Sequence, residues 1–368
     1  MVKALLNKVS IEKKFRILRT AVALGISILL AIILICAISE NPLNDIVTFL
    51  FGPILESAYL ESMLTRMIPL CFTGVGVCIM YAAGQINLGA EGAYFAGAMA
   101  CTCVAVLPNI LPGIHPVLCL LAAGVVGAFF CGICGVLSEK FNVMTVVSSL
   151  MLNYVAQNLV IYILLKYLLD TSAGFRASYK FAESAKFSKL IPGTNIHFGF
   201  IITIVVVVLC CLLMDKTKFG YAIRMVGQNP DFARYSGICV SGVIIGAQLL
   251  GGFLSGLGAG VELLGMYSRF TYGGLTNHGW DGVMIAVLAR NDPKKVPVAV
   301  LFLSYLRTAA DILNRSSNIP NEVIKIVQAV VIIFIAAQGL FSNWEHKEIV
   351  QSTGALREGA AASGKAGE

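Results

Sequence analysis

Three stretches place amide or acidic side chains among apolar residues, where only a cap, a partner side chain or a wet path can satisfy them. Gly84-Gln-Ile-Asn-Leu-Gly-Ala-Glu-Gly92 interrupts an apolar region with glycines and three polar groups. Asn87 suits the cap of the helix that follows, and Glu91 falls in that helix's first turn, where the helix dipole favours an anion. Capping alone explains both residues, and so does a break that opens on a solute path; the two readings are compatible. Thr276-Asn-His-Gly-Trp-Asp-Gly282 repeats the pattern, with Asp281 again in a first turn. Trp280 either stacks on a planar ligand or anchors at the membrane–water interface. In the third stretch Asn153 and Gln157 are four residues apart and share a helix face. Gln248 is a further amide in an apolar run, with Glu262 near its end. Asn87, Glu91, Asn153, Gln157, Gln248, Trp280 and Asp281 are therefore the candidate path residues. Amides suit uncharged solutes that offer both donors and acceptors, such as sugars and bases, and interhelical hydrogen bonding is the alternative use of the same groups.

Covalent chemistry finds no support. Cys131 and Cys134 form a Cys-x-x-Cys without a second pair or a pair of histidines, most of the 11 cysteines sit in apolar runs, and the four histidines are scattered. Neither a nucleophile elbow nor a phosphate-binding glycine loop is present, so the chain has no visible means of hydrolysing ATP. Arg307 and Asp311 are spaced to pair along a helix. No chain of acids accompanies them, which argues against a proton relay.

The elements that must hold these residues are membrane helices. Of 368 residues 57% are hydrophobic and 13% charged, with a mean hydropathy of +0.82. A soluble domain carries about twice that charge, which excludes a disordered chain, a disulfide scaffold and an ordinary soluble enzyme. Apolar runs predict ten spans: 21–39, 64–83, 89–107, 116–138, 143–168, 197–214, 240–263, 280–290 (short), 296–313 and 321–340. Residues 1–20 form a basic cytoplasmic N-terminus, because Lys3, Lys8, Lys13, Lys14, Arg16 and Arg19 face only Glu12. The first span is too long for a signal peptide and no cleavage site closes it. An even number of spans returns the C-terminus to the cytoplasm, where 342–368, rich in Gly, Ala, Ser, Glu and Lys, reads as a disordered tail. The excess of 27 Lys and Arg over 20 Asp and Glu reports topology and not nucleic acid. One loop conflicts with it: 166–190, expected outside and partly ordered, carries Lys166, Arg176, Lys180, Lys186 and Lys189.

The apolar region 21–341 resembles itself. Leu88–Ala100 parallels His278–Ala289, both reading Gly-x-acid-Gly before small and apolar residues. With ten spans the halves run in opposite senses, so the expected fold is an all-α membrane protein of two inverted-topology repeats with broken helices. Gly242, Gly246, Gly252, Gly256 and Gly260 predict close helix packing. Between spans 6 and 7, segment 215–238 predicts a short helix over 230–236. Asn229 is its cap, Pro230 its first residue, Asp231 its dipole partner and Gly237 its stop. Such a helix either docks into a partner's groove or rests on lipid.

At these residues the chain resembles the permease subunits of ABC importers in the branched-chain amino acid, ribose and nucleoside superfamily. Gly84–Gly92, Ser148-Ser-Leu-Met-Leu-Asn-Tyr154, Gly227–Ile238 and Gly279-Trp-Asp-Gly-Val-Met-Ile-Ala-Val-Leu-Ala-Arg-Asn-Asp-Pro293 carry the likeness, which covers about residues 15–341. The last two stretches are most similar to nucleoside, or simple-sugar, permeases. Ile86, Leu88, Ala93 and Ala289 depart from the family's usual residues. The resemblance implies the type II importer fold and a transport subunit without enzymatic activity or cofactor of its own. It also implies a separate ATPase that binds ATP and Mg²⁺, a second and shorter permease, an extracellular lipoprotein receptor and a bacterial cytoplasmic membrane. Gly227, Asn229, Pro230, Asp231, Ala233, Arg234 and Gly237 would then meet the ATPase. Nucleosides are the implied solute; a pentose, another simple sugar or a branched-chain amino acid is the alternative within the class, and an ion-coupled secondary transporter outside it.

Overall fold

A computed structural model describes residues 41–316, apart from Asn109 and Pro192, with only isolated positions beyond them. The expected spans 21–39 and 321–340, the basic N-terminus and the tail lie outside the described residues. Eleven α-helices are described: α1 Pro42–Leu55, α2 Ser57–Ala82, α3 Ala90–Ala105, α4 Ile114–Phe141, α5 Thr145–Ile163, α6 Gly199–Lys216, α7 Lys218–Gln228, α8 Pro230–Tyr235, α9 Val240–Met266, α10 His278–Leu288 and α11 Val296–Ser316. They fall in two compact units, Phe51–Thr308 and the remainder. The first unit contains every candidate path residue.

Six of the described helices, α2, α4, α5, α6, α9 and α11 with their flanking turns, are long and apolar enough to cross a membrane. Against the expected spans, α1 is an additional helix, α3 is shorter than a full span, and α10 is short as the sequence predicts. Helix α1 occupies residues expected to lie between spans. Helix α3 has 16 residues and α10 has 11. At 1.5 Å per residue they reach only about 24 and 16 Å, short of the ~30 Å hydrocarbon core.

Helix α9 packs on α2, α3 and α4, and α2 also packs along α10. Glycines permit this closeness: a Cβ at Gly252 or Gly256 would overlap the carbonyls of Gly127 and Ala123 on α4. Gly246 faces Phe219 of α7 instead, so the glycine stripe serves two neighbours. The core joins Tyr94, Phe95 and Met99 of α3 to Cys119 of α4, Leu263 of α9 and Phe270 beyond it. In α2, 83% of the apolar window is buried, against 28% in α5 and 22% in α6. The last two therefore turn most of their Val, Ile and Leu side chains outward, as lipid-facing helices do.

The two ends of the bundle differ. At one end the segment 169–198 covers α9. Its Ser178, Phe181 and Phe187 amides donate to the carbonyls of Phe270, Ser268 and Leu264, and Asp170 pairs with Arg269 at 2.7 Å. This is the segment whose length and polarity predicted partial order. At the other end α7 and α8 follow α6, and Asp215 there bonds Lys294 at 2.6 Å.

Candidate functional site

The helices on either side of residues 84–89 are separated by a turn with unpaired backbone, and neighbouring side chains satisfy it. Gly84 has φ +80°, in the left-handed region. Asn87 Oδ1 accepts from the Gly89 amide at 2.6 Å. The residue that opens α3 is thus Gly89, with no side-chain cap, and Asn87 braces the turn before it, which corrects its expected capping role. Asn87 Nδ2 donates to Gln248 Oε1 of α9. From α5, Ser149 accepts the Leu88 amide at 3.1 Å. Asn153 accepts the Gly92 amide at 2.8 Å and donates to the Leu88 carbonyl at 3.0 Å. Asn87, Asn153 and Gln248 therefore meet at one place. Gln157, one turn further along α5, does not join them; it is half-buried and lies beside Gly274.

Glu91 does something its position in the sequence did not suggest. It is fully buried, and its carboxylate reaches the start of α10. Oε1 accepts from the Asn277 amide and Oε2 from the Gly279 amide, both at 2.6 Å. Asn277, with φ +65°, places no cap of its own on α10. Glu91 satisfies two of the helix's orphan amides and sets its charge on the positive end of the dipole. The expectation that it caps its own helix is corrected. The approach is close enough that a Cβ on Gly279 would overlap the Glu91 backbone.

Helices α3 and α10 thus start back to back and run to opposite ends. The α3 terminus is met by the covering segment, since the Ala182 amide donates to the Ala105 carbonyl. Helix α10 runs instead toward Lys294 and Asp215. The ring of Tyr94 stacks on His278 with centroids 4.9 Å apart and planes within 6°. The Tyr94 hydroxyl donates to Glu262 of α9.

Asp281 is buried and hydrogen-bonded to the Arg307 guanidinium of α11. The i, i+4 spacing pointed Arg307 to Asp311; the structure gives it to Asp281. Trp280 is 39% exposed and takes no part in the junction. Three residues were not singled out: Tyr94 and His278 at the junction, and Arg66, which lines a cavity beside His278 and Asp281. Arg66 carried a readable signal, a lone cation inside span 64–83. Tyr94 carried none, because nothing in its neighbourhood foretells a partner 168 residues away.

The predicted short helix is present as α8. Asn229 Oδ1 accepts the Phe232 amide at 3.0 Å, and Pro230 is its first residue. Gly237 has φ +82°, and the Ile238 amide closes back on the Ala233 carbonyl, a glycine stop with a 6→1 bond. Ala233 is the buried contact, while Phe232 and Tyr235 stand out by 55% and 92%. Asp231 and Arg234 pair loosely on the surface at 3.7 Å. Gly227, at the end of α7, lies so close to the end of α2 that a Cβ would overlap the Ala82 carbonyl and crowd the Gly84 amide. The segment carrying α8 therefore touches the backbone that leads into the break.

The family model of the branched-chain amino acid transport system / permease component matches residues 59–336. The chain belongs to this family. Among its relatives, the glucose ABC transporter permease of Haloferax volcanii is 32% identical over 84% of each chain. The guanosine ABC transporter permease of Bacillus subtilis is 28% identical, covering 77% of this chain and 82% of the relative. A nucleoside ABC transporter permease of Lactococcus lactis is 26% identical, covering 89% and 92%. As an ABC permease of this family, the chain is a multi-pass membrane transport component, in accord with the six apolar helices among the described residues.

Proposed function

We propose that this permease forms the translocation path for nucleosides delivered by an extracellular lipoprotein receptor, in a bacterial cytoplasmic membrane with both termini inside. It works with a second, shorter permease and a separate ATPase that binds ATP and Mg²⁺. The outer spans complete ten and, with the opposed helices α3 and α10, make two inverted repeats. The observation that carries this reading is the exposed helix α8, set on a segment whose Gly227 abuts the backbone at Ala82 and Gly84. Closure of the ATPases pushes α8 through Phe232 and Tyr235. Helix α7 passes the displacement to residues 84–89 and so to the start of α3. Glu91 then carries it to α10, because its carboxylate binds that helix's first amides. ATP in this scheme supplies the differential stabilisation of outward- and inward-facing states.

Import of a simple sugar is the second reading, favoured by the 32% identity to a glucose permease. The test is uptake of tritiated guanosine, adenosine and ribose by cells holding the chain with its ATPase and receptor. A parallel strain carries Asp231→Lys with Arg234→Glu, which preserves the pair on α8 and inverts the face a partner sees. Guanosine uptake that vanishes in the double variant, with the protein still in the membrane, is the expected result. Ribose uptake alone moves the solute to the second reading. Uptake indifferent to the variant and to loss of the ATPase refutes ATP coupling and leaves an ion-driven carrier.

A further inference from the structure

Above the junction of α3 and α10, on the side of the covering segment, lies a cavity of about 260 Å³. Its polar lining is Arg66 of α2, Glu262 at the end of α9, His278 and Asp281 of α10, and Arg307 of α11; Pro69 and Leu70 are among its apolar walls. Pro69 has no amide hydrogen, so the ladder of α2 lacks a rung at this wall. At about 30 Å³ per water the space holds roughly eight or nine waters, room for one ring-sized solute.

The chemistry of the lining is selective. Two guanidinium groups can only donate and two carboxylates can only accept. The charges balance, so no net field draws an ion. They are also already engaged: Asp281 with Arg307, and Glu262 with the Tyr94 hydroxyl and, at 3.7 Å, with His278 Nε2. A zwitterion would have to pull these pairs apart, leaving buried charges to re-pair. A hydroxyl need not. It donates into a further carboxylate lone pair and accepts from a further guanidinium N–H, and neighbouring hydroxyls do both at once. His278 also holds a buried ring nitrogen, Nδ1, with no partner among the described residues. The ring of Tyr94 holds that imidazole flat from behind.

We infer that this cavity is a solute site for an uncharged polyhydroxylated ring, the sugar of a nucleoside or a free pentose, with Glu262, Arg66 and His278 reading the hydroxyls. This deepens the importer reading and rests on it for the identity of the solute. Polarity alone put forward Glu262, beside Gln248 in the same apolar run, but neither Arg66 nor His278.

The test is equilibrium dialysis of the full-length chain in lipid nanodiscs against radiolabelled ribose, guanosine and leucine, in parallel with guanosine uptake by the assembled importer. The wild type is expected to bind ribose and guanosine in mutual competition and to leave leucine free. Glu262→Gln keeps the acceptor for Tyr94 but loses a charged acceptor for hydroxyls, and should weaken ribose binding about tenfold or more. Leu70→Trp fills the space and should abolish binding of both. Leucine binding, absence of ribose binding to the wild type, or binding unchanged in both variants overturns the inference. If neither variant reaches the membrane intact, the wild-type contrast between ribose and leucine decides alone. The two readings fail separately: ATPase-dependent guanosine uptake without any polyol binding removes only the cavity, whereas ATPase-independent uptake removes the coupling scheme whatever the dialysis shows.

Discussion

The two Gly-x-acid-Gly elements look alike in sequence and are satisfied in opposite ways. Glu91, at the start of α3, has its carboxylate on backbone amides of the other helix. Asp281, at the start of α10, has its carboxylate on the Arg307 side chain. One acid joins the two half-length helices through backbone amides, which no side-chain truncation removes; the other joins α10 to α11 through a side-chain cation that a truncation removes. Motif likeness therefore fixes where a charge sits on a helix end but not what answers it. The answer sets how the two breaks should respond to change.

The largest effect is expected at the side-chain pair. Arg307→Met strands a buried carboxylate and should cost about 3–5 kcal/mol, read as a fall in thermal stability in nanodiscs. Removing both partners with Asp281→Leu and Arg307→Met should recover most of that loss. Failure of the double variant to recover would show that Asp281 has other obligations. Glu91→Ala leaves two buried amides without acceptors and should cost about 2–3 kcal/mol. No side-chain truncation at a second site can rescue it, and Glu91→Gln, which keeps one carbonyl oxygen, should lose less. If Glu91→Ala proves as rescuable as the Arg307 variant, the asymmetry between the two acids does not hold.

Smaller changes probe which break receives the motion of α8. Gly227→Ala forces a Cβ against Ala82, an overpacking of about 1–3 kcal/mol; solute uptake should fall well before the protein is lost from the membrane. Asn229→Ala removes the cap of α8 at about 1 kcal/mol, visible as faster amide exchange over 230–235 and severalfold slower uptake. The smallest effect belongs to the far end. There the Asp170 carboxyl lies below its usual range because Ser172 donates to it through hydroxyl and amide, with Arg269 adding to the effect. A depressed acid contributes stability above the ordinary carboxylate range and loses it as pH falls through the lowered value. Exchange protection of residues 170–181 should stay flat from pH 7 to about pH 4 and decline only below.

Much of this was legible in the residues. The membrane class followed from composition, and eight expected spans correspond to described helices within a few residues at most ends. Helix α8 was legible almost to the residue, because Asn229, Pro230 and Gly237 act on backbone within their own turn. Helix α1 was missed because Pro42–Leu55 follows the first expected span closely and its Pro53 reads as a break. The meeting of Asn87, Asn153 and Gln248 was only half legible. Each amide stood out as polar at depth, yet Gln157, with the same signal, is elsewhere.

The sequence by itself determined most of the helices, the breaks between them, the cap and stop of α8, and the permease family, since these depend on periodicity, hydropathy and contacts a few residues apart. Only the tertiary structure decided that Glu91 caps a helix 186 residues away, that Arg307 belongs to Asp281, and that Arg66, Glu262 and His278 share a cavity. Such pairings arise when desolvated charges compete for whatever donor the packing of α2, α3, α9 and α10 brings within reach. No local pattern records the outcome of that competition.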